Sequence, residues 1–281
     1  MTFIDPAPFR AASRAPAEAI APVETATRLT CGACGTGSML PFDFTMAFQP
    51  IVDLVTGRVW AYEALVRGAD GAGAGAILDR VSGNMIYAFD QACRVRAVEM
   101  AGALFMPGED VKLSINFMPN AVYEPNACIR ATLGAAARVG FDKRNLMFEF
   151  TENERMRDVP HVRRIIEAYR AQGFVTAIDD FGAGYAGLGL LAELNPDVIK
   201  IDMALIRGID GSAVKRSIVA AVIALCNELG IIPIAEGIET PGELAALRAL
   251  GVRLCQGYLI GRPAIARLPV PFADAAGVVH A

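Results

Sequence analysis

Seven short apolar stretches of this chain close on residues able to do chemistry: Glu63, Asn116, Glu149, Asp179 with Asp180, Lys200, Glu236 and Gln256. They stand among residues such as Phe148, Phe150, Ile178, Ile199, Ile201 and Ile234. An isolated charge in such company is costly unless it is paired or bound to metal. Carboxylate and amide oxygens without imidazole or thiolate suit hard cations such as Mg²⁺ or Mn²⁺. Several acids meeting at one point repel one another unless cations lie between them, so two metals fit this set better than one. Two hard cations roughly 3.5–4 Å apart are a standard device for in-line displacement at phosphorus. Asp179 and Asp180 are adjacent, and strand neighbours point to opposite faces. Both can face one site only where the strand ends and the chain turns, which Gly182 and Gly184 permit. Plainer assignments make one of the pair a helix N-cap and Lys200 a lysine whose ammonium reaches the rim along a buried stem.

Other chemistries are poorly supplied. The 281 residues include two histidines, His161 and His280, too few for a zinc hydrolase built on several imidazoles. Neither is well placed to activate a serine or cysteine nucleophile. Only four lysines accompany 22 arginines, so a lysine inside the apolar stretch around Ile199 and Ile201 stands out. A net charge of −4 gives no global attraction for a long nucleic acid. The longest apolar run, Ile218–Cys226, is half of what a membrane span needs, and residues 1–30 hold no continuous apolar segment of a secretory signal. A cytoplasmic chain is expected.

The elements that must position these residues follow from the pattern. Strands are expected near Phe48–Asp53, Val59–Val66, Val111–Asn116, Asn145–Phe150, Phe174–Asp179, Asp197–Ile201, Ile231–Ala235 and Val252–Gln256. Helical patterns fall between most of them, including Ile86–Leu104, Val159–Gln172, Ala213–Leu229 and Pro241–Leu250. The last opens with Thr240-Pro241-Gly242-Glu243, the spacing of a capping box with proline at the first helical position. Strands alternating with helices in this number point to a (β/α)8 barrel, whose chemistry lies at the C-terminal strand ends. A doubly wound open sheet is the alternative that periodicity leaves open.

At these residues the sequence resembles the EAL-domain family, the cyclic di-GMP phosphodiesterases. The motifs are Phe48-Gln49-Pro50-Ile51, Glu63-Ala64-Leu65-Val66-Arg67, Ser114-Ile115-Asn116, Phe148-Glu149-Phe150-Thr151-Glu152 and Asp179-Asp180-Phe181-Gly182-Ala183-Gly184-Tyr185. Lys200-Ile201-Asp202, Ala235-Glu236-Gly237-Ile238-Glu239-Thr240 and Gln256-Gly257-Tyr258 follow in order. The resemblance implies a TIM-like barrel with an antiparallel first strand, and hydrolysis of cyclic di-GMP to linear pGpG. It implies a first metal, Mg²⁺ or Mn²⁺, on Glu63, Asn116, Glu149 and Asp179, and a second on Asp179, Asp180 and Glu236. Lys200 would orient the attacking water, with its own pKa lowered by the cations. Gln256 would hold the water and ligand network, Arg67 would grip a phosphate, and Gln49 and Leu65 would touch the nucleotide. Glu152 would brace the loop 180–188, which couples metal binding to dimerisation, and Glu239 would support it. A homodimer is implied, with regulation through that contact, the N-terminal tail or a partner protein.

The loop departs from the family pattern at Ala183, Ala186 and Gly187, where hydroxyl residues are common; this bears on regulation more than on cleavage. A degenerate member that binds cyclic di-GMP or a protein partner without cleaving it is the rival, but every matched acid and the lysine are retained. The expected organisation is a tail over 1–40, the barrel over 41–270 and a short tail over 271–281. Cys31 and Cys34 form half of a four-ligand zinc set that nothing completes, so they could share zinc between chains, form a redox-sensitive disulfide or remain two free thiols.

Overall fold

The computed structural model describes residues 40–83, 85–151, 158–184 and 187–271. Cys31, Cys34, Glu152, Tyr185, Ala186 and His280 lie outside the described residues. Strands β1 (Phe44–Asp53), β2 (Arg58–Gly68), β3 (Lys112–Asn116), β4 (Leu146–Thr151), β5 (Val175–Phe181), β6 (Val198–Ile201), β7 (Ile232–Ala235) and β8 (Leu254–Cys255) close a barrel. A two-residue β9 (Ala264–Ile265) lies along β1 and had no sequence signal of its own. Strand β1 is antiparallel to β2 and to β8, while β2 through β8 pair in parallel. The helices are α1 (Ala74–Leu78), α2 (Met85–Leu104), α3 (Pro125–Cys128), α4 (Arg130–Val139), α5 (Val159–Ala171), α6 (Gly187–Leu194), α7 (Met203–Ile206), α8 (Ala213–Leu229) and α9 (Pro241–Ala249). The expected strand and helix positions agree with these to within a few residues.

Alternation within each strand divides the core in two. Outward side chains such as Phe48, Ile115, Phe148, Ile178, Ile199 and Ile201 pack beneath the helices. Inward side chains Ile51, Ala61, Met147, Ala177, Val198, Ile234 and Leu254 meet inside the barrel as an apolar plug. Such a filled interior makes the barrel a platform and not a pore. No helix among the described residues is long and apolar enough to cross a membrane.

The capping box expected at α9 is present, and its acid does more than cap. Glu243 accepts hydrogen bonds from the backbone N–H groups of Gly208 (2.8 Å), Glu239 (2.9 Å) and Thr240 (3.0 Å), while its own N–H donates to the Thr240 hydroxyl. It thereby ties the segment after β7 to the turn after α7. Burial opposes its charge, but these N–H donors outweigh burial and hold its pKa below the usual 4.5. A depressed carboxylate stabilises the fold above its unfolded pKa and loses that contribution as pH falls through the folded value. Glu243→Gln should cost about 1–2 kcal/mol at pH 7. In thermal unfolding the gap from the parent chain should narrow below about pH 4.5; a gap independent of pH would contradict this.

Candidate active site

The site is the next layer of side chains above the apolar plug. Residues i and i+2 of a strand share a face, so two steps along from Ala61, Met147, Ala177, Val198, Ile234 and Leu254 come Glu63, Glu149, Asp179, Lys200, Glu236 and Gln256. Strand β1 runs the other way, so its contribution, Gln49, comes two residues before Ile51 and pairs in register with Glu63. Ser114 and Asn116, also two apart, lie opposite Glu63 and Glu149 respectively in the β3 ladders. Beyond the strand ends the pairing continues, with Glu236 N–H on the Ile201 carbonyl and Gln256 N–H on that of Ala235.

Lys200, 1% exposed, is the centre of this layer. Its Nζ lies 2.6 Å from Glu236, 3.1 Å from Asp179, 3.2 Å from Glu149 and 3.3 Å from Glu63. Asn116 Nδ2 donates to Glu63 (3.2 Å) and Glu149 (2.9 Å), Ser114 Oγ donates to Glu149 (2.6 Å), and Gln256 Nε2 donates to Glu63 (2.7 Å) and Gln49 (3.2 Å). The Gln49 amide in turn donates to the Gly261 carbonyl at 3.0 Å. The snorkelling alternative for Lys200 is therefore wrong: its ammonium is held inside the barrel by the carboxylates.

One ammonium cannot neutralise so many acids. Burial, and then the neighbouring Glu63 charge, push Glu149 well above the usual carboxylate range. Burial and Asp179 do the same to Glu236, and push Asp180 up to about 6. Glu63 goes the other way, because Lys200 and Gln256 outweigh its burial. Lys200 itself is disfavoured by burial, yet the four carboxylates outweigh that and raise it well above its ordinary value. The depression expected for this lysine needs cations beside it; the protein's own groups act in the opposite direction.

The acids fall into two groups with one member in common. Ligand oxygens of Glu63, Glu149 and Asp179 lie within 4.8 Å of one another, and so do those of Asp179, Asp180 and Glu236. Asp180 reaches the second group because it adopts φ +54°, a left-handed conformation, beside a register break between Ile178 and Phe181. Such strain in a non-glycine residue persists where the surroundings enforce it, commonly at functional sites. The turn expected from glycine is thus begun by Asp180 and completed by Gly182 (φ +95°), and the Asp180 carbonyl accepts the Ala183 N–H at 3.0 Å. Both groups fit hard divalent cations by donor type: oxygen only, with an excess of negative charge.

Two cavities share the Glu63–Asp179 wall. One, of about 300 Å³, is lined mostly by charged and amide residues, among them Gln49, Asp180, Lys200, Glu236, Glu239 and Gln256. The other, of about 610 Å³, is mainly apolar and is bordered by Leu65, Phe89, Asn116, Phe117 and Met118. Arg67, half-buried near the end of β2, donates to the Val66 carbonyl at 2.7 Å. The Glu239 carboxylate is exposed on the rim of the first cavity and pairs with Arg207 at 2.5 Å. His161 bridges the Val122 carbonyl and Arg164 at the start of α5, with no part in the acidic layer.

Sequence reading assigned no task to Ser114 or Asp202. Ser114 shares a strand face with Asn116, and that period-two relation was the signal that could have found it. Asp202, on the first cavity, caps α7 through the Ala204 N–H at 2.7 Å. Ser114→Ala should leave the fold intact and weaken divalent-cation binding roughly 10–100-fold, because Glu149 loses the donor that orients it. Calorimetric titration with Mn²⁺ tests this, and an unchanged affinity would count against it.

The family described as EAL domain matches residues 42–263. The chain belongs to the EAL-domain family. It is 35% identical over 79% of its length to the blue light- and temperature-regulated antirepressor BluF of Escherichia coli, covering 55% of that protein. It is 32% identical over 77% of its length to the cyclic di-GMP phosphodiesterase NbdA of Pseudomonas aeruginosa, covering 28% of that protein. The chain therefore spans about half or less of these curated relatives. Among solved structures, a standalone versatile EAL protein of Vibrio cholerae O395 in its c-di-GMP-bound form shares 50% identity, with a TM-score of 0.79, over 83% of this chain and 98% of that one.

Proposed function

We propose that this EAL domain hydrolyses one phosphodiester bond of cyclic di-GMP, releasing linear pGpG, with two Mg²⁺ or Mn²⁺ ions. The observation that carries the reading is Asp179, which belongs to both groups of acids. Glu63, Asn116, Glu149 and Asp179 would hold one ion, and Asp179, Asp180 and Glu236 the other. Bound there, the pair would supply an acidified water and neutralise the charge that builds on phosphate. Lys200, buried among the acids, holds the attacking water in line with the phosphorus as the 3′ oxygen leaves. Gln256 and Gln49 orient the network at the opposite wall. Arg67 turns its guanidinium from the Val66 carbonyl to a substrate phosphate as a charge-assisted donor, and Leu65 packs against the nucleotide from the apolar cavity. Glu239 and Glu152 act on the loop after β5, in a cytoplasmic homodimer or with a regulatory protein. The cyclic di-GMP-bound Vibrio protein and the phosphodiesterase NbdA support the ligand and the reaction class.

That a relative is named as an antirepressor, BluF, favours a second reading, in which this domain binds cyclic di-GMP or a protein partner without cleaving the nucleotide. Turnover separates the two. Purified chain with Mg²⁺ or Mn²⁺ should convert cyclic di-GMP to pGpG, and Glu63→Ala and Lys200→Ala should each abolish conversion. Tight binding without turnover, with either metal and at several protein concentrations, would make this a receptor.

A further inference from the structure

Among the described residues, the most deeply buried ion pair outside the site lies on α2. Arg94 is 0% and Asp90 3% exposed. The Arg94 guanidinium donates to the Asp90 carboxylate at 2.5 Å and to the Tyr169 hydroxyl of α5 at 3.2 Å. The other Asp90 oxygen accepts the backbone N–H of Met118 at 2.9 Å. Met118 stands two residues after Asn116, at the exit of β3, and between them Phe117 N–H donates to the Glu149 carbonyl at 2.9 Å. The exit is therefore fixed on one side to the strand bearing Glu149 and on the other to α2. Phe117 and Tyr169 also meet, with ring centroids 5.6 Å apart, over Phe148, the residue before Glu149.

Asn116 needs such fixing. It lies at the mouth of the barrel, exposed, and its amide must reach Glu63 and Glu149 together. A buried pair kept only for stability could be replaced by apolar side chains at little cost, and it would not need its second carboxylate oxygen on a loop amide. We infer that Asp90 is a positioning residue for the metal site: through the Met118 N–H it sets the β3 exit, and with it Asn116, against Glu63 and Glu149. Arg94 neutralises the buried Asp90 carboxylate and donates its other arm to the Tyr169 hydroxyl. The inference rests on the metal-dependent reading of this site.

Two double variants of the full chain separate positioning from stability. Asp90→Leu/Arg94→Met removes the ion pair and the acceptor for Met118; Asp90→Asn/Arg94→Met removes the ion pair and keeps the acceptor. Mn²⁺ titration should show the first binding roughly 10–100-fold more weakly than the parent chain, and the second within about threefold of it. Cyclic di-GMP turnover by the first should fall at limiting Mn²⁺ and recover at excess. If that variant does not fold, Met118→Pro removes the amide hydrogen, leaves the ion pair and carries the same expectation. Parent-like Mn²⁺ affinity in the acceptor-free variants, or an equal loss in both double variants, overturns the inference while leaving the metal site intact. No Mn²⁺ binding by the parent chain sinks both.

Discussion

Lys200→Met is expected to abolish turnover, by about 10³-fold or more, and to unbalance the barrel interior. Methionine keeps the apolar stem and removes the charge. Glu63, Glu149, Asp179 and Glu236, all within 3.3 Å of Nζ in the parent chain, then face one another without a cation. Breaking a buried charge arrangement from one side costs about 3–5 kcal/mol, and that deficit should appear in thermal unfolding with a chelator present. Adding Mn²⁺ should restore most of it, so the variant gains more stability from metal than the parent does. Part of the cost is relieved by protonation of Glu149 and Glu236, whose pKa values burial already pushes up. The deficit should therefore be smaller at pH 5 than at pH 8. Equal unfolding temperatures for variant and parent in chelator would show that the lysine does not balance these acids.

Gly257→Ala should be nearly as damaging, for reasons of space alone. A Cβ there would lie 2.2 Å from the Ile238 carbonyl oxygen and 2.3 Å from its nitrogen. Neither can step aside, because Ile238 N–H donates to the Gln256 carbonyl and the Ile238 carbonyl accepts from Leu259. Relief must come from separating the β8 exit, which carries Gln256, from the β7 exit, which carries Glu236. Overpacking of this kind costs about 1–3 kcal/mol, occasionally more, and a displacement of about 1 Å in catalytic groups can cost 10²-fold in rate. The expected outcome is a lower unfolding temperature and at least about a 100-fold drop in cyclic di-GMP turnover. A Gly257→Ala chain with parent stability and rate would mean that the two exits can part freely.

The strands and the acids were legible because the acids and amides interrupt apolar runs at or near strand ends, except Glu63, which stands mid-way along β2. What lay beyond reach was set by tertiary contact. The pairing of Glu63 with Ala61, or Gln49 with Ile51, as successive layers depends on which face of each strand turns inward, and strand ends alone do not say. The left-handed Asp180 is invisible because nothing but its surroundings holds it there. Asp90 and Arg94 have the i, i+4 spacing of an ordinary exposed helix pair; only packing against Tyr169 and Met118 reveals them as buried. Asp202 reads as a polar strand end, and becomes a cap only once the short α7 is seen to follow it.

The antiparallel first strand divides the barrel into an early and a late part. β1 and β2 are neighbours in the chain, joined through a turn in which Asp53 accepts the Val55 N–H and Gly57 takes φ +68°. Their pairing closes almost no loop and can form from a local segment. The other side of β1 meets β8 only at Val52 with Cys255 and Asp53 with Leu254, where the Asp53–Arg253 bridge joins residues 200 apart in sequence. Contacts at such separation pay their loop-closure entropy before they return anything. The barrel is thus expected to shut like a clasp, and its seam is also where transient opening should begin. Amide hydrogen exchange at Leu54, whose N–H donates to the Arg253 carbonyl across that seam, should be faster than at the centre of the β4–β5 ladder. The clasp also retains Gln49, the one site residue carried by the strand that arrives from the opposite direction.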